Sequence, residues 1–262
     1  MSRQNYYKQR QQRHRRSVDE ALIVQLVRQE RQVQPRLGTR KLQHMLSDEW
    51  AQAGVSIGRD RLFGVLRRHD LLILRRRRYA RTTDSRHGLA VYGNLLKEAV
   101  LTGPHQAWVS DITYLRTRQG FMYLSLVMDA FSRKIVGYDC HDRLESEGAL
   151  RALSMAMRQL PAGTSSLIHH SDRGCQYCCG RYTERLLQRG FQISMTEENH
   201  CYENSRAERL NGILKQEYGL GTVCVSKSNG VKAVKEAVKL YNGRRPHQAL
   251  GYRCPDHVHS AA

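Results

Sequence analysis

The 262-residue chain has no run approaching 18 consecutive apolar residues, and its basic start lacks the apolar stretch of a secretory leader. Neither a membrane span nor export is expected, and the protein is read as cytoplasmic. Cys140, Cys175, Cys178, Cys179, Cys201, Cys224 and Cys254 are odd in number, so free thiols are expected in a chain with no export signal. A structural zinc site is not expected either. Cys175-Gln176-Tyr177-Cys178-Cys179 has no second ligand pair at suitable spacing, although His200 and Cys201 lie nearby.

Acids are also scarce, at 24 against 43 Lys and Arg, giving a formal net charge of +19. Residues 1–88 hold 21 basic residues against eight acids and the remainder holds 22 against 16, so most of the excess lies in the first third. Such asymmetry points to a polyanionic partner, most simply nucleic acid. An acidic membrane surface would instead call for a long amphipathic helix with aromatic anchors, and none is apparent.

What the sequence does contain is an ordered series of chemical signatures. Residues 107–116 and 121–131, rich in Val, Ile, Tyr and Leu and separated by Gln119-Gly120, read as two paired strands, with a third at 134–140 completing an antiparallel meander. A helix is expected at 145–160 and a short strand at 166–170 running into Ser171-Asp172-Arg173-Gly174. A further amphipathic stretch at 181–190, a strand at 191–195 and a helix at 203–218 follow. Asp111 falls inside an apolar strand, where an unpaired carboxylate is expensive. Asp172 falls at a strand end and Glu208 on the last helix. On that helix Asn204, Asn211 and Lys215 share the face of Glu208, a polar face unsuited to a core.

Three acids from two strands and a helix suit divalent cations with oxygen ligands, Mg²⁺ or Mn²⁺. Two such ions about 3.5–4 Å apart would stabilise both the attacking and the leaving oxygen in phosphodiester chemistry. His169 and His170 precede Asp172, and strand alternation puts His170 on the face of Asp172. Hydrogen-bonded strand-end histidines are the expected reading for this pair, ahead of a base or metal ligand.

Upstream, residues 1–16 are polar, basic and aperiodic and read as a mobile arm. Ser17 and Glu20 then fit a capping box for a helix that ends before Pro35. A second helix is expected from Thr39 to Ala53, stopped by Gly54. A third is expected over 57–69, capped by Ser56, with Leu62, Phe63 and Leu66 inward and Arg59, Arg61, Arg67 and Arg68 outward. Three short helices ending in a basic one read as a small helix-turn-helix-like DNA-binding domain. Arg75–Arg78, with Arg81 and Arg86, reads as a basic linker able to neutralise phosphates. Beyond a loop at 219–229, a basic helix at 230–241 leads into YNGRRPHQALGY.

Four segments together, WVSDITYL at 108–115, HHSDRGCQY at 169–177, CYENSRAERLNGILKQEY at 201–218 and YNGRRPHQALGY at 241–252, resemble the OrfB-type transposases of a bacterial insertion-sequence family. That family lies in the retroviral-integrase-like DDE superfamily, and the resemblance covers essentially the whole chain. It implies an α/β fold, a ribonuclease-H-like mixed five-stranded sheet flanked by helices, preceded by a small all-α domain. The organisation expected is a basic arm (1–16), a helical DNA-binding domain (17–74), a basic linker (75–104), an integrase catalytic core (105–220) and a C-terminal extension (221–262). It implies Asp111, Asp172 and Glu208 as catalytic metal ligands and Lys215 as a contact to the terminal DNA, and it implies that YNGRRPHQALGY packs against the core and lies near DNA, with Arg244 and Arg245 as DNA-binding candidates. Many relatives read Asp-Asn-Ala where this chain has Glu203-Asn204-Ser205, but Glu203 falls five residues short of the spacing for a catalytic acid.

The implied activity is metal-dependent cleavage and strand transfer at double-stranded terminal inverted repeats and target DNA, in association with the nucleoid. A homo-multimer on DNA and an upstream-frame fusion partner are also implied. An inactive DNA-binding repressor and a hydrolysis-only ribonuclease-H-like nuclease are the competing readings. Intact acids at all three positions argue against the repressor.

Overall fold

The computed structural model describes residues 3–73, 88–197 and 204–261, which fall into two compact units, residues 1–78 and 79–262. The arginine run at 75–78, Arg81, Arg86, His200, Cys201 and Glu203 lie outside the described residues. The first unit is three helices, α1 (Arg3–Val33), α2 (Thr39–Gln52) and α3 (Arg59–Arg68). Ile23, Val24 and Val27 of α1 pack on Leu42, Leu46 and Trp50 of α2 and on Leu62, Val65 and Leu66 of α3.

Four local expectations are corrected here. Residues 3–16 are not an arm but the opening turns of α1, because a stretch of Arg, Lys and Gln without Gly or Pro favours helix. Ser17 therefore lies within α1 and cannot cap it. On α3 the N-cap is Gly58, two residues beyond Ser56, and Val65 takes the buried place expected of the half-buried Phe63. Gly54 ends α2 in the left-handed region, at φ +72°, as its sequence context implies.

The second unit is built on a five-stranded mixed sheet. In chain order it comprises β1 (Ala107–Thr117), β2 (Gly120–Asp129), β3 (Ile135–His141), α4 (Ser146–Met157), β4 (Ile168–Ser171), α5 (Cys175–Cys178), α6 (Gly180–Leu187) and β5 (Gln192–Met195). Then follow α7 (Ser205–Glu217), α8 (Lys227–Gly243) and α9 (Pro255–Ser260). The strand order is β3-β2-β1-β4-β5, with β3, β2 and β1 antiparallel and β4 and β5 parallel to β1.

Strand alternation sends Val109 and Leu115 of β1 to one face and Trp108 to the other. The first face carries α7 and α8 through Leu210, Leu214, Val234 and Tyr241. The second carries α4 and α6 through Ala152, Leu153, Ala156 and Tyr182. Part of the expected linker belongs to this core as well: Leu96 and Leu101 pack on the first cluster, and Gly93 accepts a hydrogen bond from the Met195 amide. Likewise α8 is no appendage but one wall of the first cluster, and Ser226, accepting from the Asn229 amide, starts it three residues earlier than expected.

The approach of α4 to the sheet depends on Gly137 of β3. A β-carbon there would collide with the Ala152 carbonyl and press on Ala156. Gly137→Ala is expected to lower the unfolding free energy by about 1–3 kcal/mol, the usual cost of overpacking, read as a shift in the urea midpoint with unchanged slope.

Candidate active site

The parallel register of β1 and β4 pairs Val109 with His170. Two residues further along each strand direction stand Asp111 and Asp172, which brings both carboxylates to the same end of the sheet. Ser171 closes β4, and the Asp172 side chain turns back to accept a hydrogen bond from the Gly174 amide at 3.0 Å. Asp111 accepts from the Ile112 amide at 2.8 Å through Oδ1 and from Asn211 Nδ2 at 2.7 Å through Oδ2.

The third acid arrives on α7, whose polar face lies along β1. Asn204 donates to the Ser110 carbonyl at 3.2 Å, Asn211 to Asp111, and the Lys215 ammonium stands 4.3 Å from the centre of the Tyr114 ring. The face read from helical spacing is thus the face that meets β1, and Glu208 comes with it.

The three acids perturb one another. Burial, then the charge of Asp172, push the Asp111 carboxyl up to about 7, against the opposing hydrogen bonds from Ile112 and Asn211, with Glu208 adding to the rise. The Glu208 carboxyl is also raised, by burial first and by Asp172 second. Burial holds the Lys215 ammonium below its ordinary value, while the charge of Asp111 works the other way. A cavity of about 450 Å³ opens at Asp111 and Asp172, continuing over Tyr114, Phe121 and Tyr123 to Leu144 and Tyr177. The donors are oxygen only, which is the chemistry a divalent cation takes, though among the described residues the three acids do not close into a ligand group, and burial ahead of like charge raises Asp111 and Glu208.

Both histidines are held in the structure rather than presented to the cleft. His169 Nε2 lies 2.8 Å from Ser110 Oγ and 3.0 Å from the Tyr182 hydroxyl, and burial drives its pKa down to about 3. His170 Nδ1 lies 2.8 Å from Ser194 Oγ. These histidine contacts brace β4 against β1, α6 and β5.

Of the basic residues expected at DNA, Arg59, Arg61, Arg67 and Arg68 are exposed on α3. Arg59 pairs with Asp60, Arg61 approaches Asp19 at 3.5 Å, and Arg68 makes a two-pronged contact with Glu20. Arg244 is exposed. Arg245 is the correction: only 3% exposed, it grips Glu217 through two hydrogen bonds of 2.8 and 2.9 Å beside the Tyr241 ring. A guanidinium enclosed in this way ties α8 to the end of α7 and cannot reach a DNA backbone.

Several residues carry the site without having stood out in the sequence. Asp129 is fully buried at the end of β2 and accepts from the His105 amide and from both the amide and hydroxyl of Ser132. Ser132 Oγ in turn lies 2.9 Å from His259 of α9. Asn242 accepts from the Ile135 amide and donates to its carbonyl, both at 2.9 Å. Tyr177 is buried beside Asp111 and Asp172, which raise its hydroxyl pKa further above the value set by burial. The position of Asn242 and Tyr177 inside two quoted motifs was the available signal.

Comparison with known proteins agrees with this geometry. The family profile described as Integrase core domain matches residues 102–201, and a second profile of the same description matches residues 189–255. The chain is 35% identical over 261 residues to the insertion element IS600 uncharacterized 31 kDa protein of Shigella sonnei, covering 97% of this chain and 93% of that one. It is 33% identical to transposase InsF for insertion sequence IS3A of Escherichia coli, covering 80% and 74%. Among solved structures, a chain of the simian T-cell lymphotropic virus intasome, determined with PP2A regulatory subunit B56 gamma, shares the fold. Its TM-score is 0.51 at 17% identity, over 85% of this chain and 70% of that one.

Two outcomes follow from the contacts around the acids. Asn211→Ala, which removes the donor to Asp111, is expected to lower activity by about 10–100-fold, as loss of a partner to a ligating carboxylate does. Asn211→Asp, which adds a like charge, should be worse; strand-cleavage rates on a DNA substrate compare the two. Arg245→Ala removes two charge-assisted hydrogen bonds to Glu217 and the link they make to α7, and is expected to cost about 1.5–3 kcal/mol of stability, measured by chemical denaturation.

Proposed function

Because this chain belongs to the insertion-sequence transposases of the retroviral-integrase-like superfamily, and so acts on DNA by phosphoryl transfer, we propose that Asp111, Asp172 and Glu208 are its catalytic acids. The observation that carries the assignment is the β1–β4 register, which carries Asp111 and Asp172 to one end of the sheet; burial and then the charge of Asp172 raise both the Asp111 and the Glu208 carboxyls. Acids drawn together at that cost have a use for the repulsion. We assign them a pair of divalent cations, Mg²⁺ or Mn²⁺, and such ions would supply charge stabilisation at both reacting oxygens.

The chain's own residues do the rest. Asn211 fixes one oxygen of Asp111, leaving the orientation of that carboxylate set before DNA arrives. Lys215, at the rim beside Tyr114, is placed to meet a phosphate of the terminal DNA. The reaction divides into cleavage, in which water attacks a phosphodiester and frees a 3′-hydroxyl, and transfer, in which that hydroxyl attacks a second phosphodiester. Both steps need the nucleophile and leaving oxygen held in line.

The helical unit supplies affinity in this reading. The surface pairs Arg59–Asp60, Arg61–Asp19 and Arg68–Glu20 are of a kind readily exchanged for phosphate, and Arg67 and Arg244 are exposed. Double-stranded terminal repeats and target DNA are the substrates, synapsis calls for a homo-multimer, and an upstream-frame product is a fusion partner. Among the described residues no helix is long and apolar enough to cross a membrane.

The test is a cleavage and joining assay on a labelled duplex bearing the element's own ends, with the chain alone and fused to any upstream frame. Wild type should join strands with Mg²⁺ or Mn²⁺ and stop on chelation. Asp111→Asn, Asp172→Asn and Glu208→Gln should each lose about a thousandfold or more while retaining DNA binding. Binding without chemistry in every protein would leave a regulator. Cleavage without joining would leave a nuclease.

A further inference from the structure

The cleft at Asp111 and Asp172 extends onto a patch of the sheet that the reaction chemistry does not account for. Tyr114 lies opposite Tyr123, and Arg116 lies opposite Phe121, so alternation puts these four side chains on one face of the β1–β2 hairpin. Tyr114 and Phe121 meet edge to face with ring centres 5.7 Å apart. Lys215 covers Tyr114 from above, which leaves Phe121, 51% exposed, as the ring open to a ligand. All four residues line the same cavity as the two acids.

We propose that this face is a stacking site for one unpaired nucleobase of the DNA substrate, immediately next to the phosphate that reacts. The assignment rests on the placement of that phosphate at Asp111 and Asp172. The occupant follows from continuity and charge. A duplex whose phosphate sits at the acids has only its neighbouring nucleotide within reach of a patch in the same cavity. An aromatic ring offers a base a π-face of either purine or pyrimidine type, so the contact is tolerant of sequence. Arg116, exposed beside Phe121, and Lys215 are placed to hold the phosphates flanking an extruded base. A cavity of about 450 Å³ accommodates a base with room for its sugar and lies within the size range of small-ligand sites. A base drawn out of its pair loosens the duplex at the scissile position, where the strand end must turn toward the acids.

The experiment uses the full chain and duplexes carrying the element's ends, with 5-iodouracil placed in turn at each position within three nucleotides of the cleavage site on both strands. After irradiation, cross-linked peptides are mapped. One position should attach to Phe121, Tyr123 or Tyr114, and a mismatch at that position should speed joining by wild type. Phe121→Ala should weaken joining at limiting DNA by about tenfold and abolish the benefit of the mismatch. Phe121→Trp, which keeps a stacking face, should restore both, and Phe121 is exposed enough that unfolding curves of the variants should match wild type. Cross-links confined to other segments, or Phe121→Ala and Tyr123→Ala joining as wild type does, would overturn the stacking site. Asp111→Asn keeps this separate from the catalytic assignment: it should be inert in joining yet still cross-link to the patch. Joining by Asp111→Asn at the wild-type rate would move the reacting phosphate elsewhere and remove the premise.

Discussion

The parallel pairing of β1 with β4 is the constraint on which the site depends. It fixes Val109 against His170 and so delivers two carboxylates, from distant parts of the chain, to one end of the sheet. Burying Asp111 beside another carboxylate opposes folding rather than assists it, which shows in the upward shift of Asp111, driven first by burial and then by the charge of Asp172. The sheet must therefore be stable for other reasons, and it is. Trp108 and Val109 sit on opposite faces of β1 in two separate apolar clusters, while Ser110, His169 and Tyr182 satisfy one another just beneath the acids.

The helix that brings Glu208 has a different problem, because nothing in the sheet register sets its position. It is fixed by a ladder of polar contacts down β1, from Asn204 to Ser110, Asn211 to Asp111 and Lys215 to Tyr114. Its C-terminal end is fixed independently by Glu217, held by the enclosed Arg245. The YNGRRPHQALGY segment thus gains meaning as a brace. Asn242 bonds both backbone groups of Ile135 on β3, and Arg245 bonds α7, so one short segment links the far edge of the sheet to the helix carrying the third acid.

Much of this was legible in the sequence because its signals were local. The strands at 107–117 and 120–129 announce themselves by β-branched and aromatic composition around Gln119-Gly120, and the shared face of Asn204, Glu208, Asn211 and Lys215 follows from helical spacing alone. The failures have a common cause. Arg245 looks like an exposed arginine in a Gly-Arg-Pro turn, and only the fold shows that Glu217, 28 residues earlier, meets it in a buried pair. Asp129 reads as the polar end of a strand, yet it organises His105 and Ser132 around itself. Residues 3–16 lack the apolar periodicity that marks a packed helix, and helix propensity acts there without it.

The placement of stability bears on how the site can work. Its rigid parts, the β1–β4 pairing, the buried histidines and the C-terminal brace, surround the acids without neutralising them. Asp111 has a donor at each oxygen, but amides of Ile112 and Asn211 orient a carboxylate without discharging it. Lys215 is directed over Tyr114 and is itself burdened by burial. Acidic side chains thus gather at one end of the sheet, while two thirds of the chain's excess of positive charge lies in its first third. Under the function proposed above, that division gives a DNA-joining enzyme affinity from dispersed arginines that can exchange partners and chemistry from a few acids oriented before the substrate arrives.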